Sequence, residues 1–136
     1  MSLDLALSTV FTVQLRTVFH RCTDLLRPTY RDLVEAGAVV STGHCYVASE
    51  VLYHALGGAA AGLVPASLRT KEGVHWFLKT PGGAVLDPTA DQFNAPVPYE
   101  QGQSRGFLTK KPSLRAVQMA ERARLSLSGR QATSSP

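Results

Sequence analysis

The feature that most restricts the fold of this chain is a β-hairpin pattern in its second half. Residues 74–79 are rich in β-branched and aromatic side chains, residues 80–83 form the cluster Thr-Pro-Gly-Gly, and residues 84–87 are a short apolar run that ends at Asp87. Two strand-forming segments joined by a Pro-Gly turn predict antiparallel strands. The fold must therefore contain a sheet, and the remaining elements must pack against it.

Helical periodicity dominates the residues before the hairpin. Apolar side chains recur at three- and four-residue steps over residues 5–26, which predicts a long first helix that ends before Pro28. Shorter helices are predicted over residues 29–36 and 45–56, each followed by glycine. Gly43, just before the third helix, permits a close approach of the backbone.

The residues after the hairpin are less regular. Residues 88–106 are polar and rich in Pro and Gly, which predicts a loop. Short strands are predicted just before the hairpin and over residues 107–109. Ser113 is the expected N-cap of a last helix that ends at residue 123. Residues 129–136 are expected to be a disordered tail.

Length and composition fit one ordinary globular domain over residues 1–128. The chain has 136 residues, of which 44% are hydrophobic and 18% are charged. Its two cysteines, Cys22 and Cys45, do not make a disulfide framework, so reduced thiols are expected. No CxxC or HxxxH spacing predicts a metal site. Without a membrane-spanning apolar run or a signal peptide, the protein is expected to be soluble and cytoplasmic, with no membrane partner.

Basic residues are concentrated in the last third of the chain. The net charge is +4, and from Arg105 onward seven Lys or Arg residues stand against a single acid, Glu121. Such a segment is compatible with an acidic partner, including nucleic acid. Phe107 is its one aromatic residue, so a stacking surface for single-stranded nucleic acid is poorly supported. A solvated helix is the preferred interpretation of this charge.

Cys45 stands at the predicted start of the third helix, directly after Thr42-Gly43-His44. The free N–H groups and the dipole of a helix N-terminus favour an anion, and thiols in such positions have an increased thiolate fraction. The N–H of Cys45 would also face an oxyanion formed on an attacked carbonyl. A buried structural cysteine is the competing interpretation.

His75 and Asp87 lie symmetrically about residue 81, within the turn of the hairpin. In that register they are direct cross-strand partners on one face, which Phe77 and Val85 share. Trp76, Leu78 and Leu86 then point to the other face, toward a core. A carboxylate beside a histidine fixes its tautomer and stabilises its protonated form. A polar pair on a wet face of the sheet is the alternative.

The order Cys45, His75, Asp87 is that of the papain-like fold in its broad sense. The segment His75-Trp76-Phe77, with Val85-Leu86-Asp87-Pro88-Thr89 after it, resembles the transglutaminase core, which places its Asp in an Asp-Pro-Thr context. Gly43-His44-Cys45 and the apolar helix after it resemble the cysteine helix of that family and of arylamine N-acetyltransferases. The resemblance covers residues 43–89. The residues beside Cys45 are His44 and Tyr46, where transglutaminases usually carry a Trp.

The resemblance implies an α+β fold, in which a single papain-like or transglutaminase-like domain packs N-terminal helices on a small antiparallel β-sheet. It implies a cysteine-dependent hydrolase or acyltransferase: a peptidase, a deamidase or a transglutaminase-like enzyme. Cys45 would attack a carbonyl, His75 would act as its base, and Asp87 would orient the histidine. The substrate would be a peptide, a protein side-chain amide or a small acyl compound, and no cofactor is needed.

The oxyanion hole and the substrate contacts are less defined by the sequence. No Gln lies between Arg31 and His44, where papain-type enzymes carry their oxyanion donor. The remaining candidates for oxyanion or substrate contacts are His44, Tyr46, Trp76, Gln92 and Arg105. The alternative function is a catalytically inert papain-like domain, or a basic binding protein that uses its C-terminal third on a nucleic-acid or protein partner.

Overall fold

The structure, a computed structural model, describes residues 3–127, which form four α-helices and a four-stranded antiparallel sheet. This confirms the mixed α+β class. The helices are α1 (Leu5–Arg16), α2 (Pro28–Glu35), α3 (Cys45–Ala55) and α4 (Leu114–Ala123). The strands are β1 (Val64–Thr70), β2 (Gly73–Lys79), β3 (Val85–Leu86) and β4 (Gln103–Ser104), in the order β3-β2-β1-β4.

The hairpin β2–β3 forms, but its register is shifted by two residues from the predicted one. Leu78 pairs with Leu86 and Lys79 with Val85. The loop centres on Gly82 rather than Pro81, because Gly83 takes the left-handed conformation (φ 89°) that closes a three-residue turn. The predicted direct pairing of His75 with Asp87 is therefore wrong. Since side chains alternate with a period of two, the shift leaves both on one face, as diagonal neighbours.

The sheet has an apolar cluster on each face. Leu78 belongs to the larger one, which α1, α3 and α4 complete with fully buried side chains such as Leu15, Leu52 and Met119. Leu86 packs against the same cluster, so the predicted core-facing positions of Leu78 and Leu86 are confirmed. The smaller cluster contains Ala66, Leu68 and Phe77, packed against Val85, Val97 and Tyr99. Residues 88–104 therefore cover the face that carries His75 and Asp87.

Helix caps connect α3 to α4. Ser113 caps α4 as predicted, since its hydroxyl accepts a hydrogen bond from the Ala116 N–H at 3.2 Å. The fully buried Glu50 of α3 accepts from the Ser113 N–H at 3.0 Å and from its hydroxyl at 2.6 Å. A carboxylate at a helix N-terminus is stabilised by the free N–H groups there. The pair fixes the start of α4 against the helix that carries Cys45.

Two predicted elements differ from the structure. The first helix ends at Arg16 instead of residue 26, and short 3₁₀ turns at Phe19–Arg21 and Thr23–Leu25 follow it. This bend buries Val18, Phe19, Cys22 and Leu25, while Val10 and Val13 stay more than half exposed. The predicted strand at 107–109 is irregular, and β4 pairs with β1 instead. Phe107 packs between the rings of Tyr46, Tyr53 and Trp76.

The tail predicted to be disordered, residues 129–136, lies outside the described residues. Among the helices of residues 3–127, none has the length and apolarity needed to cross a membrane.

Candidate thiol site

Cys45 is the first residue of α3, and the backbone before it makes a tight turn. Gly43 has a positive φ of 83° and lies against Tyr30 of α2. His44 is the N-cap of the helix but makes no side-chain capping hydrogen bond. The partly exposed Cys45 thiol donates to the carbonyl oxygen of Val74 on β2 at 3.8 Å. The thiol therefore lies at a helix N-terminus and against the strand that carries His75.

His75 is held inside β2 with its ring almost completely buried. Its Nε2 lies 2.7 Å from Oδ2 of Asp87, and the two side chains are 1% and 4% exposed. The Phe93 ring packs edge-on against the imidazole at 4.7 Å, and Phe77 stacks beside it at 6.1 Å. Such packing leaves the imidazole little rotational freedom, so Nε2 is committed to Asp87.

The Asp87 carboxylate meets donors on both oxygens. The Tyr99 hydroxyl donates to Oδ2 at 2.7 Å, the same oxygen that His75 contacts, and the Thr89 N–H donates to Oδ1 at 3.3 Å. The Thr89 hydroxyl in turn accepts a hydrogen bond from the Gln92 amide at 3.0 Å. The structure thus holds Asp87 as an acceptor that faces His75.

The segment after Asp87 is held in place by hydrogen bonds from residues at the end of α1 and just before α3. Arg16, at the end of α1, donates to the Pro88 carbonyl at 2.6 Å and makes a two-pronged ion pair with Asp91 at 3.2 Å. The Ser41 hydroxyl donates to the same Asp91 at 2.6 Å. Because Arg16 and Asp91 are about 40% exposed, this ion pair is worth little free energy. Its effect is to fix the path of the loop that carries Asp87.

The environment of His75 favours its charged form. Burial disfavours the charge, but the hydrogen bond and the negative charge of Asp87, with a contribution from the Cys45 thiol, outweigh it and raise the His75 pKa to about 9. Its second nitrogen, Nδ1, is buried and has no hydrogen-bond partner of standard geometry among residues 3–127. The interaction of the ring with the Cys45 thiol is the one contribution to this pKa from a described side chain other than Asp87.

A cavity of about 710 Å³ brings Cys45 and His75 to one surface. Its wall includes Tyr30 of α2, and Trp76 and Phe93 from the sheet side. The first residues of α3, Cys45, Tyr46 and Val47, also line it, and the N–H groups at a helix start have no partner within the helix. A carbonyl placed beside the thiol would have oxyanion donors and a base on either side.

The other predicted candidates divide into two groups. Tyr46, Trp76 and Gln92 line the cavity, although the Tyr46 hydroxyl accepts a hydrogen bond from the Leu108 N–H at 2.7 Å. His44 and Arg105 do not line it. The His44 ring is buried and stacked on Phe19 at 5.0 Å, and Arg105 is exposed, with its N–H donating to the Pro65 carbonyl. His44 can contribute only to the backbone of the turn.

Sequence reasoning missed the role of Tyr99. It also missed the ion pair and hydrogen bond that Arg16 and Ser41 make with Asp91. Tyr99 lies in the Pro-rich segment predicted as a loop, and its contact with Asp87 joins residues with no shared periodicity. The Tyr99 ring packs against Phe77 with 5.0 Å between the ring centroids, and this apolar contact holds Tyr99 near Asp87. A tyrosine directly after Pro98, in a polar stretch, was the one available signal.

The His75 pKa predicts how stability depends on pH. A histidine whose pKa rises from 6.5 to about 9 on folding stabilises the protein fully below pH 6.5, and this contribution is lost as the pH rises through 9. The free energy of unfolding should fall by about 3 kcal/mol over that window. Urea denaturation at several pH values, followed by the fluorescence of the single tryptophan, Trp76, measures it.

The matched variants are His75→Gln and His20→Gln. The first should flatten the decline between pH 6.5 and 9, because no imidazole remains beside Asp87. The second removes an exposed histidine and should keep the decline of the original protein. An equal slope in His75→Gln and the original protein would contradict the assignment.

Among residues 3–127 no group of three or more His, Cys, Asp or Glu side chains could hold a metal ion. Comparison of the chain with protein-family models, with curated proteins and with solved structures finds no match.

Proposed function

We propose that this protein is a thiol-dependent acyl-transfer enzyme with a papain-like arrangement of Cys45, His75 and Asp87. The observation that carries the proposal is the orientation of His75 in the cavity. Its Nε2 is bound to Asp87 at 2.7 Å, and its Nδ1 has no hydrogen-bond partner among the described residues, on a ring that interacts with the Cys45 thiol. His44 and His54 also have a buried ring nitrogen without a partner among the described residues, so the interaction with a thiol on one side and a carboxylate on the other distinguishes His75.

The secondary structure that carries these residues supports the same reading. The thiol is at the N-terminus of α3, α3 packs on β2, and His75 is on β2. Asp87 directly follows β3, the neighbouring strand. This is the chain order and element order expected from the resemblance to papain-like and transglutaminase-like cores.

The proposed reaction has two halves. In the first, the Cys45 proton passes to His75 Nδ1, sulfur bonds to the carbonyl carbon, and the oxyanion faces the N–H groups at the start of α3. The bond to the leaving group then breaks, and His75 gives that group its proton. In the second half, water or an amine loses a proton to His75 as it attacks the thioester, and the carbon–sulfur bond breaks. Asp87 stabilises His75 while it is charged.

The alternative of a basic binding protein has less support. Two arginines of the basic segment make contacts within the domain. Arg122 forms a two-pronged ion pair with Asp24, at 2.7 and 2.8 Å, and Arg115 donates to the Leu25 carbonyl at 3.1 Å. The ion pair offsets the positive charge of Arg122, whereas Arg115 keeps its charge and lines the cavity that contains Cys45.

Alkylation of Cys45 by iodoacetamide at pH 6 tests the proposal. Only the thiolate reacts, and an ordinary thiol is about 0.3% thiolate at this pH. Paired with protonated His75, Cys45 should react more than about 30 times faster than N-acetylcysteine. Peptide mass spectrometry assigns the label, since Cys22 is fully buried and not a fair reference.

A functional measurement accompanies the labelling. The Cys45→Ala variant should not hydrolyse an activated thioester. In the original protein, this hydrolysis should decrease at the same rate at which Cys45 is alkylated. Labelling of Cys45 no faster than that of N-acetylcysteine, together with salt-sensitive binding of nucleic acid, would support the binding-protein alternative instead.

A further inference from the structure

Two arginine side chains line the cavity that contains Cys45. Arg115 extends from the first turn of α4, and Arg27 is the residue just before α2. Arg115 Nη1 donates to the carbonyl of Leu25, two residues before Arg27 in the chain. The guanidinium of Arg115 therefore lies beside the backbone just before Arg27, and the two residues give the cavity a positively charged part.

Neither arginine is neutralised by a carboxylate. Among residues 3–127, the arginines that form ion pairs are Arg16 and Arg122, and neither of these lines the cavity. Glu72, in the turn between β1 and β2, is the one acidic side chain among the described lining residues. Unpaired guanidinium groups in a concave site are suited to an anionic ligand, since they bind carboxylates and phosphates through two parallel hydrogen bonds.

The charge of Arg115 acts on both neighbours of the proposed nucleophile. Burial, and after it this positive charge, lowers the pKa of His44 to about 4. At Tyr46 burial raises the pKa, and the charge of Arg115 acts in the opposite direction. Because His44 and Tyr46 flank Cys45, Arg115 is close enough to influence a charge that develops at the thiol.

The position of α4 keeps Arg115 in this place. The N-terminus of α4 is tied to α3 through the hydrogen bonds between Ser113 and buried Glu50. Arg115 is two residues after Ser113, and Cys45 begins the same α3 that carries Glu50. The backbone that carries Arg115 is therefore held against α3 by the helix pair.

From these contacts we infer that the cavity binds an acyl substrate that carries a negatively charged group, a carboxylate or a phosphate, and that Arg115 and Arg27 recognise that group. This inference rests on the proposed thiol function and names its substrate class. Trp76 and Tyr30 in the wall provide apolar surface for the uncharged part of the substrate.

The test compares iodoacetate with iodoacetamide, two reagents that differ in the negative charge. At Cys45 the rate constant for iodoacetate is divided by the rate constant for iodoacetamide. This ratio is then divided by the same ratio for N-acetylcysteine, so that the intrinsic reactivities of the two reagents cancel. The normalised ratio should exceed one in the original protein. Arg27→Gln and Arg115→Gln should each lower it roughly two- to fivefold, the effect of removing one charge from a partly solvated site.

Two further variants are expected to change the ratio in the opposite direction or to leave it unchanged. Glu72→Gln removes the negative charge of the cavity and should raise the ratio. Arg21→Gln removes an exposed arginine outside the cavity and should leave it unchanged. The exposed Arg27 side chain makes no hydrogen bond or ion pair within residues 3–127, so the Arg27→Gln variant still tests the inference if Arg115→Gln unfolds. The differences should shrink at high salt.

The outcomes separate the two claims. Slow labelling by both reagents overturns the proposed thiol function. Fast labelling by iodoacetamide with a ratio that Arg27→Gln and Glu72→Gln do not move overturns the anionic substrate and leaves the thiol function intact. Added acetate and inorganic phosphate, at constant ionic strength, then distinguish the two anions. The one that slows iodoacetamide more in the original protein than in Arg27→Gln identifies the class.

Discussion

Replacement of His75 by Gln should lower the rate constant for alkylation of Cys45 by iodoacetamide at pH 6 on the order of 100-fold. In the original protein the pKa of His75 is raised to about 9, so its positive charge is present at pH 6; in the proposed site this charge favours attack by the thiol beside it. Without that charge the cysteine would behave as an ordinary thiol, which is about 0.3% ionised at pH 6. Pseudo-first-order labelling followed by peptide mass spectrometry gives the rate constant.

The pH profile distinguishes loss of the ion pair from loss of access. In the original protein the rate constant should change little from pH 6 to 9, because the imidazolium is present throughout. In His75→Gln it should rise about tenfold per pH unit until an ordinary thiol has ionised. A variant that only blocked access would be slower at every pH and would keep the flat profile.

Changes around Asp87 should give intermediate effects. Asp87→Asn removes the charge that stabilises protonated His75, so the flat region of the rate profile should end at a lower pH. Tyr99→Phe removes one donor to the carboxylate and leaves His75 bound to it, so its effect should be the smaller. Near-UV circular dichroism of Trp76 checks that each variant keeps its packed site. Equal rates at pH 6 in all four proteins would contradict the roles given to His75 and Asp87.

The sequence predicted the two halves of this site with different success, for physical reasons. Strand periodicity was sufficient to place His75 and Asp87 on one face, because an even register shift does not change the face. It was not sufficient to set their pairing, since Gly83 rather than Pro81 determines the turn. The place of Cys45 at a helix start followed from local pattern alone.

Contacts between segments distant in the chain were beyond sequence reasoning. Nothing in the Pro-rich stretch indicates that Tyr99 binds Asp87, and nothing in α4 indicates that Arg115 reaches the cavity. The same limit explains the wrong prediction of a strand at Phe107. This residue has strand propensity, but its ring packs against Tyr46 and Trp76 instead. Propensity describes local preference, and packing overrides it at such positions.

The second large effect concerns Gly43, two residues before Cys45. Gly43→Ala should lower the free energy of unfolding by about 2–4 kcal/mol, the sum of a left-handed backbone cost and an overpacking cost. Its φ is +83°, and an added Cβ would lie 2.5 Å from both Cβ and Cγ of Tyr30. The Cβ of Tyr30 is next to the backbone of α2, so no flexible side-chain end can yield. Urea denaturation followed by tryptophan fluorescence measures the loss.

Two other glycines provide matched controls. Gly37 also has a positive φ, +110°, but an added Cβ there meets nothing within 4 Å, so Gly37→Ala reports the backbone cost alone, about 1–2 kcal/mol. At Gly82 the φ lies outside the left-handed region and the space is open, so Gly82→Ala should be nearly neutral. The difference between Gly43→Ala and Gly37→Ala isolates the close approach of Tyr30. Equal losses in these two variants would contradict that contact.

The Gly43 variant should also affect Cys45, since the turn and the thiol are part of one structure. Relief of the overlap requires either Tyr30 to move outward with α2, which has no buried residues, or the start of α3 to shift away from β2. In the first case the cavity widens and Cys45 labels at the original rate. In the second, the thiol leaves Val74 and His75, and the rate at pH 6 falls toward that of His75→Gln. Because α3 is anchored by seven buried residues and α2 by none, we expect the first outcome: a protein that is less stable but has a reactive thiol.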